Sequence, residues 1–459
     1  MTFNSLNFIF MFLPAALLLN HYLPSARAKN IMLVVLSFLF YAWGDPAALL
    51  LLLISIGWNY LTALQMAAED DDRKKKHQFV LGIVMNLVIL GVFKYTNFIL
   101  NDVLFLHRQL DIALPVGLSF FLFSEISYLA DVYMGKSKAS HDLVEYSLYV
   151  SFFGKISMGP IVQYHDMEDQ LGERTIDPYD AGQGALLFTK GLIKKSLLAD
   201  QFATLFAATA GSTSVLGAWL YGAAYMLEIY FDFSGYSDMA IGIGQMFGFH
   251  MDPNFNHPYI AKSVQDYWRR WHISLSRWFR DYLYIPLGGS RVSNRKYIRN
   301  ILIVWFCTGL WHGANWTFIL WGLYFGAFTL LEKFYLKDFL SKHTKFGHIY
   351  TLLVVLVSWI FFCSPDIGTA FGVIGRLVGI GASAWADGST AFLLLNNWFL
   401  LLLGVLFSMD IFKNLQTSIL NRYKKKGITW MTAVYLVGFV LCIAFIVGGT
   451  FHPFQYFAF

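Results

Sequence analysis

The sequence predicts an all-α polytopic membrane protein, and three observations carry that prediction. Hydrophobic residues make up 57% of the chain and charged residues only 14%, against roughly a quarter charged in soluble domains. The mean hydropathy is +0.52. Apolar runs of about 18 residues or more recur from end to end, the length a helix needs to cross a bilayer core. No long polar block separates them. A soluble chain of 459 residues would suggest two or more domains, whereas evenly spread apolar runs argue for one integral-membrane domain over residues 1–459.

The opening MTFNSLNFIFMFLPAALLLN has neither a positive n-region nor a small-residue cleavage site, so it reads as a retained, embedded segment rather than a signal peptide. Short basic clusters then punctuate the chain: Arg27 and Lys29, Arg73 to Lys76, Lys136 and Lys138, Arg291 to Arg299, Lys333 to Lys345, and Arg422 to Lys426. Cytoplasmic loops carry such clusters. They account for the net charge of +5 without a nucleic-acid partner. From Asn30 the chain rises, turns near Gly44-Asp45-Pro46 and returns to the Arg73 cluster; it rises again from Gln78 to Leu100 and returns from Leu114 to Met134. Near the other end Tyr350 to Cys363 goes out, Phe392 to Met409 comes back and Met431 to Gly448 leaves again, which places the C-terminus outside.

The middle is less regular. Segments Leu143 to Val162, Ala181 to Phe206 and Leu216 to Phe249 are apolar but interrupted by Gly, Pro and acids, and their topology stays open. Tyr267 to Leu283 mixes Arg269, Arg270, Arg277 and Arg280 with six aromatics, the pattern of an amphipathic helix at the interface or beside a polar cavity. Spacings Gly244 to Gly248 and Gly322 to Gly326 suggest close helix contacts, a common feature of membrane helices.

One length argument locates the residue of greatest interest. Arg299 and Lys333 both look cytoplasmic, yet about 31 residues separate their flanks, and two full spans need about 40. A broken helix pair turning near Gly309 to Gly313 fits, because irregular backbone at depth is tolerated where it faces protein or a wet cavity. This reading puts His312 near mid-membrane, beside Trp305, Trp311, Trp316 and Trp321. A single long tilted span is the competing reading and would invert the sidedness of everything downstream.

An ionisable side chain at that depth costs about 2.5–3.5 kcal/mol when charged even on lenient scales, so it marks function by default. A histidine at the base of a cavity can act as general base toward a hydroxyl, and acyl transfer then needs a thioester or ester donor and hydrogen-bond donors for the oxyanion. Asn315, three residues on, would share the helical face of His312 and supply an amide. Its rival reading is a hydrogen-bonded core histidine among interfacial tryptophans. His272, in Trp271-His272-Ile273-Ser274, is the second candidate. Acids in apolar surroundings form a third group: Glu125, Asp131, Glu228, Asp232 and Asp238. Around Asp232 an acid, hydroxyls and a glycine break occur together, and ion pairing with the arginines of 269–280 is the structural alternative.

Other chemistries lack their signatures. Cys307, Cys363 and Cys442 show no metal-ligand spacing and read as small buried hydrophobes. His107 to Asp111 is one residue short of an HxxxxD acyltransferase motif. No GxSxG elbow, Walker A loop, HExxH or dinucleotide fingerprint is present.

The strings FDFSGYSDMAIGIG (231–244), NFNHPYIAKSVQDYWRRWHISLSRWFRDYLYIPLGGSR (254–291) and GLWHGANWTFILWGLYFG (309–326) resemble the signatures of the membrane-bound O-acyltransferase family. The opening MTFNSLNFIFMFLP and the closing PFQYFAF resemble its bacterial alginate O-acetyltransferase branch. The resemblance covers essentially the whole chain. It implies a ring of roughly ten or more transmembrane helices, some re-entrant or broken, around a central funnel. His312 would be the catalytic residue and His272 its companion, with Trp311, Asn315, Asp232 and Trp271 placed to bind substrate.

The resemblance further implies acetyl-CoA as acyl donor, no permanently bound cofactor and no metal. It implies an extracytoplasmic SGNH-type acetyltransferase and polysaccharide biosynthesis or export proteins as partners, and residence in a bacterial cytoplasmic (inner) membrane. The product would be an O-acetylated exported or cell-envelope polysaccharide such as alginate, cellulose or peptidoglycan. D-alanyl transfer to teichoic acid is the nearest alternative, and LYIPLGGSR looks like the acetyl branch. From other classes, a transporter would show repeat symmetry, of which no matching pair of broken segments gives a sign, and a scaffold subunit would find His312 dispensable.

Overall fold

A computed structural model describes residues 1–449 and Phe454, with Lys425 described by its backbone alone. The closing PFQYFAF, apart from Phe454, lies outside the described residues. The chain is helical, and among the described residues no strand occurs. It divides into two compact units, Met1–Phe188 with Ser237–Asp252, and Thr189–Tyr236 with Pro253–Phe459.

The first unit holds α1 (Leu13–Tyr22), α2 (Ala26–Ala42), α3 (Pro46–Ala67), α4 (Asp72–Leu90), the short α5 (Thr96–Phe98), α6 (Leu118–Tyr133), α7 (Leu143–Ser151), α8 (Tyr164–Leu171) and most of α9 (Pro178–Ile193). The turn expected at Gly44-Asp45-Pro46 is there for a local reason. Asp45 caps α3 by accepting from the N–H groups of Ala47 and Ala48 at 3.0 and 3.1 Å, and Pro46 occupies the first helical position, where its missing N–H costs nothing. α6 is buried almost throughout. It brings Glu125 against α3, where Ser55 donates to the carboxylate at 2.5 Å and Asn59 at 3.0 Å. Asn59 in turn pairs with Asn86 of α4. Buried polar groups in apolar helices need such partners.

The second unit holds α10 (Asp200–Thr209), most of α11 (Val215–Met246), α12 (Val264–Trp268), α13 (Ile273–Phe279), α14 (Asn294–His312), α15 (Trp316–Leu331), α16 (Lys337–Lys342), α17 (Thr344–Cys363), α18 (Ile367–Leu377), α19 (Gly388–Ser408) and α20 (Ile411–Val447). α19 opens on a capping box between Asp387 and Thr390. Its exposed Phe392, Leu395, Trp398, Phe399, Leu402 and Val405, like the valines of α20, are what a lipid-facing span requires. The core is aromatic: Trp268, Trp271, Trp305, Trp321, Phe325 and Trp359 contact one another in a continuous cluster.

Among the described residues five helices are long and apolar enough to cross a membrane: Pro46–Ala67, Asp72–Val103, Thr344–Cys363, Gly388–Ser408 and Lys426–Val447. All five coincide with spans read from the sequence at the two ends of the chain. The protein is therefore a multi-pass membrane protein, and Asp72–Val103 crosses with π-helical turns at Gly91–Tyr95 and Ile99–Val103.

Two expectations for the middle change. Tyr267 to Leu283 is not one amphipathic helix: α12 stops at Trp268, and α13 begins after His272, whose φ of 45° is left-handed. α11 runs unbroken through Gly235, where a glycine break was expected. A Cβ there would lie 2.8 Å from the Gly191 carbonyl of α9, so the glycine serves close helix approach rather than a break.

Candidate active site

α14 ends at His312, Gly313 is extended (φ −170°, ψ 155°), and Asn315 caps α15 by accepting from the Thr317 N–H at 3.0 Å. The two helices then run back along each other. A Cβ on Gly309 would meet the Phe318 carbonyl at 2.4 Å, and one on Gly322 the Trp305 carbonyl at 2.2 Å. These contacts pair early α15 with late α14, the signature of an antiparallel hairpin. The broken pair inferred from segment length is present, and the single tilted span is not. Gly322 is one of the GxxxG glycines. It and Gly309 let two backbones touch where any side chain would hold them apart.

The hairpin tip presents His312, only 3% exposed. Its imidazole meets three aromatic rings edge-on: Trp321 at 4.8 Å between centroids, Trp311 at 4.9 Å and Phe362 at 5.3 Å. Phe362 lies near the last turn of α17, a full span that starts at the basic end. From Ile301 to His312 the helix rises about 17 Å, roughly half the thickness of a hydrocarbon core of about 30 Å.

His272 is fully buried and approaches the same indole from another element, with its ring centroid 6.1 Å from that of Trp311. Asn254 fixes its state. The Asn254 Oδ1 accepts from the Ser274 N–H at 3.0 Å and from the Ser274 hydroxyl at 2.9 Å. A backbone N–H can only donate, so the carboxamide oxygen faces this way. The His272 Nδ1, 3.2 Å from that oxygen, must then be the protonated nitrogen. The lone pair is left on Nε2. Phe233 closes one side at 4.7 Å, edge to face. A neutral imidazole held in one tautomer in this way is suited to accept or relay a proton.

The other residues singled out from sequence take varied places. Trp311 contacts both imidazoles. Trp271 is 1% exposed and lies in the aromatic core against Tyr267, Phe255 and Trp359. Asn315 does not share a helical face with His312, because α14 has ended before it. Its carboxamide is used as the α15 cap and donates to the Pro365 carbonyl at 3.0 Å. Asp232 pairs with Lys195 at 2.7 Å, and Lys195 also meets Asp200 at 2.8 Å; all three are buried. The partner is this lysine, not the arginines of 269–280, of which Arg270 pairs with Asp266 and Arg280 with Asp281. In the first unit Asp131 accepts from the N–H of His165, and Glu125 is held as described above.

Asn254 and Phe362 were not singled out from sequence. Asn254 lies 18 residues before His272, with no spacing rule to join them, and Phe362 is one phenylalanine among 44. Among the described residues no group of three His, Cys, Asp or Glu side chains is placed to hold a metal ion. Cys307, Cys363 and Cys442 are unpaired thiols.

The model of the membrane-bound O-acyltransferase family matches residues 49–367, which include both histidines and the whole hairpin. The chain belongs to this family. As a member it is an O-acyltransferase, and it is similar along most of its length to other O-acetylating enzymes. It is 38% identical over 401 residues to a probable alginate O-acetylase of Azotobacter vinelandii, covering 84% of this chain and 80% of the relative. It is 36% identical over 422 residues to the peptidoglycan O-acetyltransferase of Helicobacter pylori, covering 82% and 80%. Similarity to the teichoic acid D-alanyltransferase of Bacillus subtilis is lower, 28% over 266 residues, covering 54% and 66%.

Proposed function

We propose that this membrane O-acyltransferase transfers acetyl groups from cytosolic acetyl-CoA, for O-acetylation of an exported or cell-envelope polysaccharide of the alginate or peptidoglycan kind. The observation that carries the reading is His312, buried at the tip of a hairpin whose two open ends lie at basic clusters. A donor entering from the cytoplasmic side and an acceptor approaching from the opposite side would meet at a histidine buried this deep in the hairpin. The similarity to an alginate and a peptidoglycan O-acetylating enzyme supports acetyl as the group transferred.

In this reading His312 takes the proton of the acceptor hydroxyl as its oxygen attacks the thioester carbonyl. The C–O bond forms, the tetrahedral oxyanion collapses, and the C–S bond breaks. The imidazolium returns its proton to the departing thiolate, so atoms and charge balance without metal or nucleotide. His272, held by Asn254 with its lone pair on Nε2, positions or assists. The immediate acceptor is an extracytoplasmic acetyltransferase that carries the group to the polymer alongside the export machinery, in the cytoplasmic membrane of a bacterium. Supplying the purified protein in nanodiscs with radiolabelled acetyl-CoA and a candidate partner tests this. Label is expected to reach the acceptor with wild type and to be lost with His312→Ala at unchanged thermal stability. Near-normal transfer by that variant would overturn the assignment.

A further inference from the structure

A second site lies in the same unit, apart from the histidines. Between the start of α12, the stretch around Tyr284 to Tyr297, and the facing ends of α15, α16 and α17 is a cavity of about 530 Å³, within the range of small-molecule pockets. Its character is unlike the aromatic core. Lys262, Lys333 and Lys337 line it together with seryl, threonyl and tyrosyl hydroxyls, and among the described residues Leu340 is the one aliphatic side chain in its wall.

Charge decides what such a space would accept. The acid in the wall is Glu332, and its carboxylate is already engaged: one oxygen accepts from the Val264 N–H at 2.6 Å, the other from the Gln265 N–H at 3.1 Å. It is spent on the unsatisfied donors at the start of α12, not on the lysines. Lys333 extends over the Tyr297 ring, its ammonium 5.8 Å from the centroid. Three ammonium groups around a hydroxyl-lined hollow, with the local carboxylate occupied elsewhere, form an anion site, and a phosphate group carries the charge and acceptor oxygens to fill it.

We propose that this cavity binds a phosphate-bearing anion from the cytoplasmic side. The basic clusters around it, Arg291 to Arg299 and Lys333 to Lys345, face the cytoplasm by the positive-inside rule. Two sources share the chemistry: a soluble diphosphate, or the headgroup of an anionic phospholipid reached between helix ends. The site needs neither histidine, so it stands or falls independently of the acyl-transfer reading.

The test uses the full chain in nanodiscs. In one arm the discs are pure phosphatidylcholine, and adenosine 5′-diphosphate and pyrophosphate are titrated by calorimetry. In the other, phosphatidylglycerol is doped into the discs and retained lipid is counted by native mass spectrometry. Wild type is compared with Lys333→Gln/Lys337→Gln and with Lys333→Arg/Lys337→Arg. All these side chains are exposed at the rim, and the thermal midpoint verifies folding. At least one arm is expected to show saturable binding that weakens about tenfold or more in the Gln pair and persists in the Arg pair. The responding arm identifies the source. His312→Ala should bind as wild type does. No binding by wild type in either arm, or equal binding by the Gln pair, would overturn the proposal.

Discussion

Replacing Gly322 with alanine should damage the active site from a distance, because the residue lies where α14 and α15 cross. The added Cβ would stand 2.2 Å from the Trp305 carbonyl oxygen and 3.0 Å from both the N and Cα of Gly309. Ordinary contact begins at 3.4 Å, and every obstacle is backbone, so no rotamer change relieves the clash. The crossing must open by about 1 Å, the kind of overpacking that costs about 1–3 kcal/mol. His312 follows Gly309 by one helical turn and moves with it, and a displacement of about 1 Å at a reacting group lowers rate about 100-fold. Gly326→Ala supplies the control. Its Cβ meets only the Trp305 side chain, at 3.2–3.4 Å, so it should cost little. The assay is acyl transfer by purified protein in nanodiscs, with thermal midpoints measured alongside. Wild-type transfer and stability in Gly322→Ala, or equal damage in Gly326→Ala, would refute the reasoning.

Three further variants probe separate parts of the second unit. Asn254→Ala removes one buried acceptor from the Ser274 N–H, the Ser274 hydroxyl and the His272 Nδ1; stability should fall by about 1–3 kcal/mol and transfer should fall with it, as thermal denaturation and rate measurements would show. Asn315→Ala distinguishes a cap from an oxyanion donor: loss of the cap costs about 0.5–2 kcal/mol with transfer largely kept, whereas a drop in turnover of about 100-fold or more would restore the catalytic reading. Asp232→Ala removes one of the two buried carboxylates that pair with Lys195, and breaking such a pair costs about 3–5 kcal/mol. The expected result is poor yield of folded protein, and a well-folded variant defective only in substrate affinity would instead favour a binding role.

Much of this protein is written in one-dimensional patterns. Class and the spans at both ends follow from hydropathy and run length, because lipid imposes the same local demand on every crossing segment. The hairpin was also legible: about 31 apolar residues between two basic flanks cannot make two crossings, so the break and the burial of His312 followed from counting. The turn near Gly44-Asp45-Pro46 was equally readable, since the cap that makes it and its partners lie within four residues.

Other features are properties of distant contacts. The kink that makes His272 an isolated left-handed residue depends on Asn254, 18 positions earlier, and the fate of Asp232 depends on Lys195, 37 positions earlier. Both separations cross helix breaks, so no periodic pattern announces either contact. The spacing of Asn315 from His312 suggested a shared face only on the assumption of a continuous helix, which the turn at Gly313 ends. Sequence alone therefore determined which end segments cross the membrane and that His312 lies at the break of a helix pair. Tertiary structure decided which polar groups face that histidine and which are consumed in holding the fold, because a buried donor or acceptor is satisfied by whichever partner packing brings within hydrogen-bond reach.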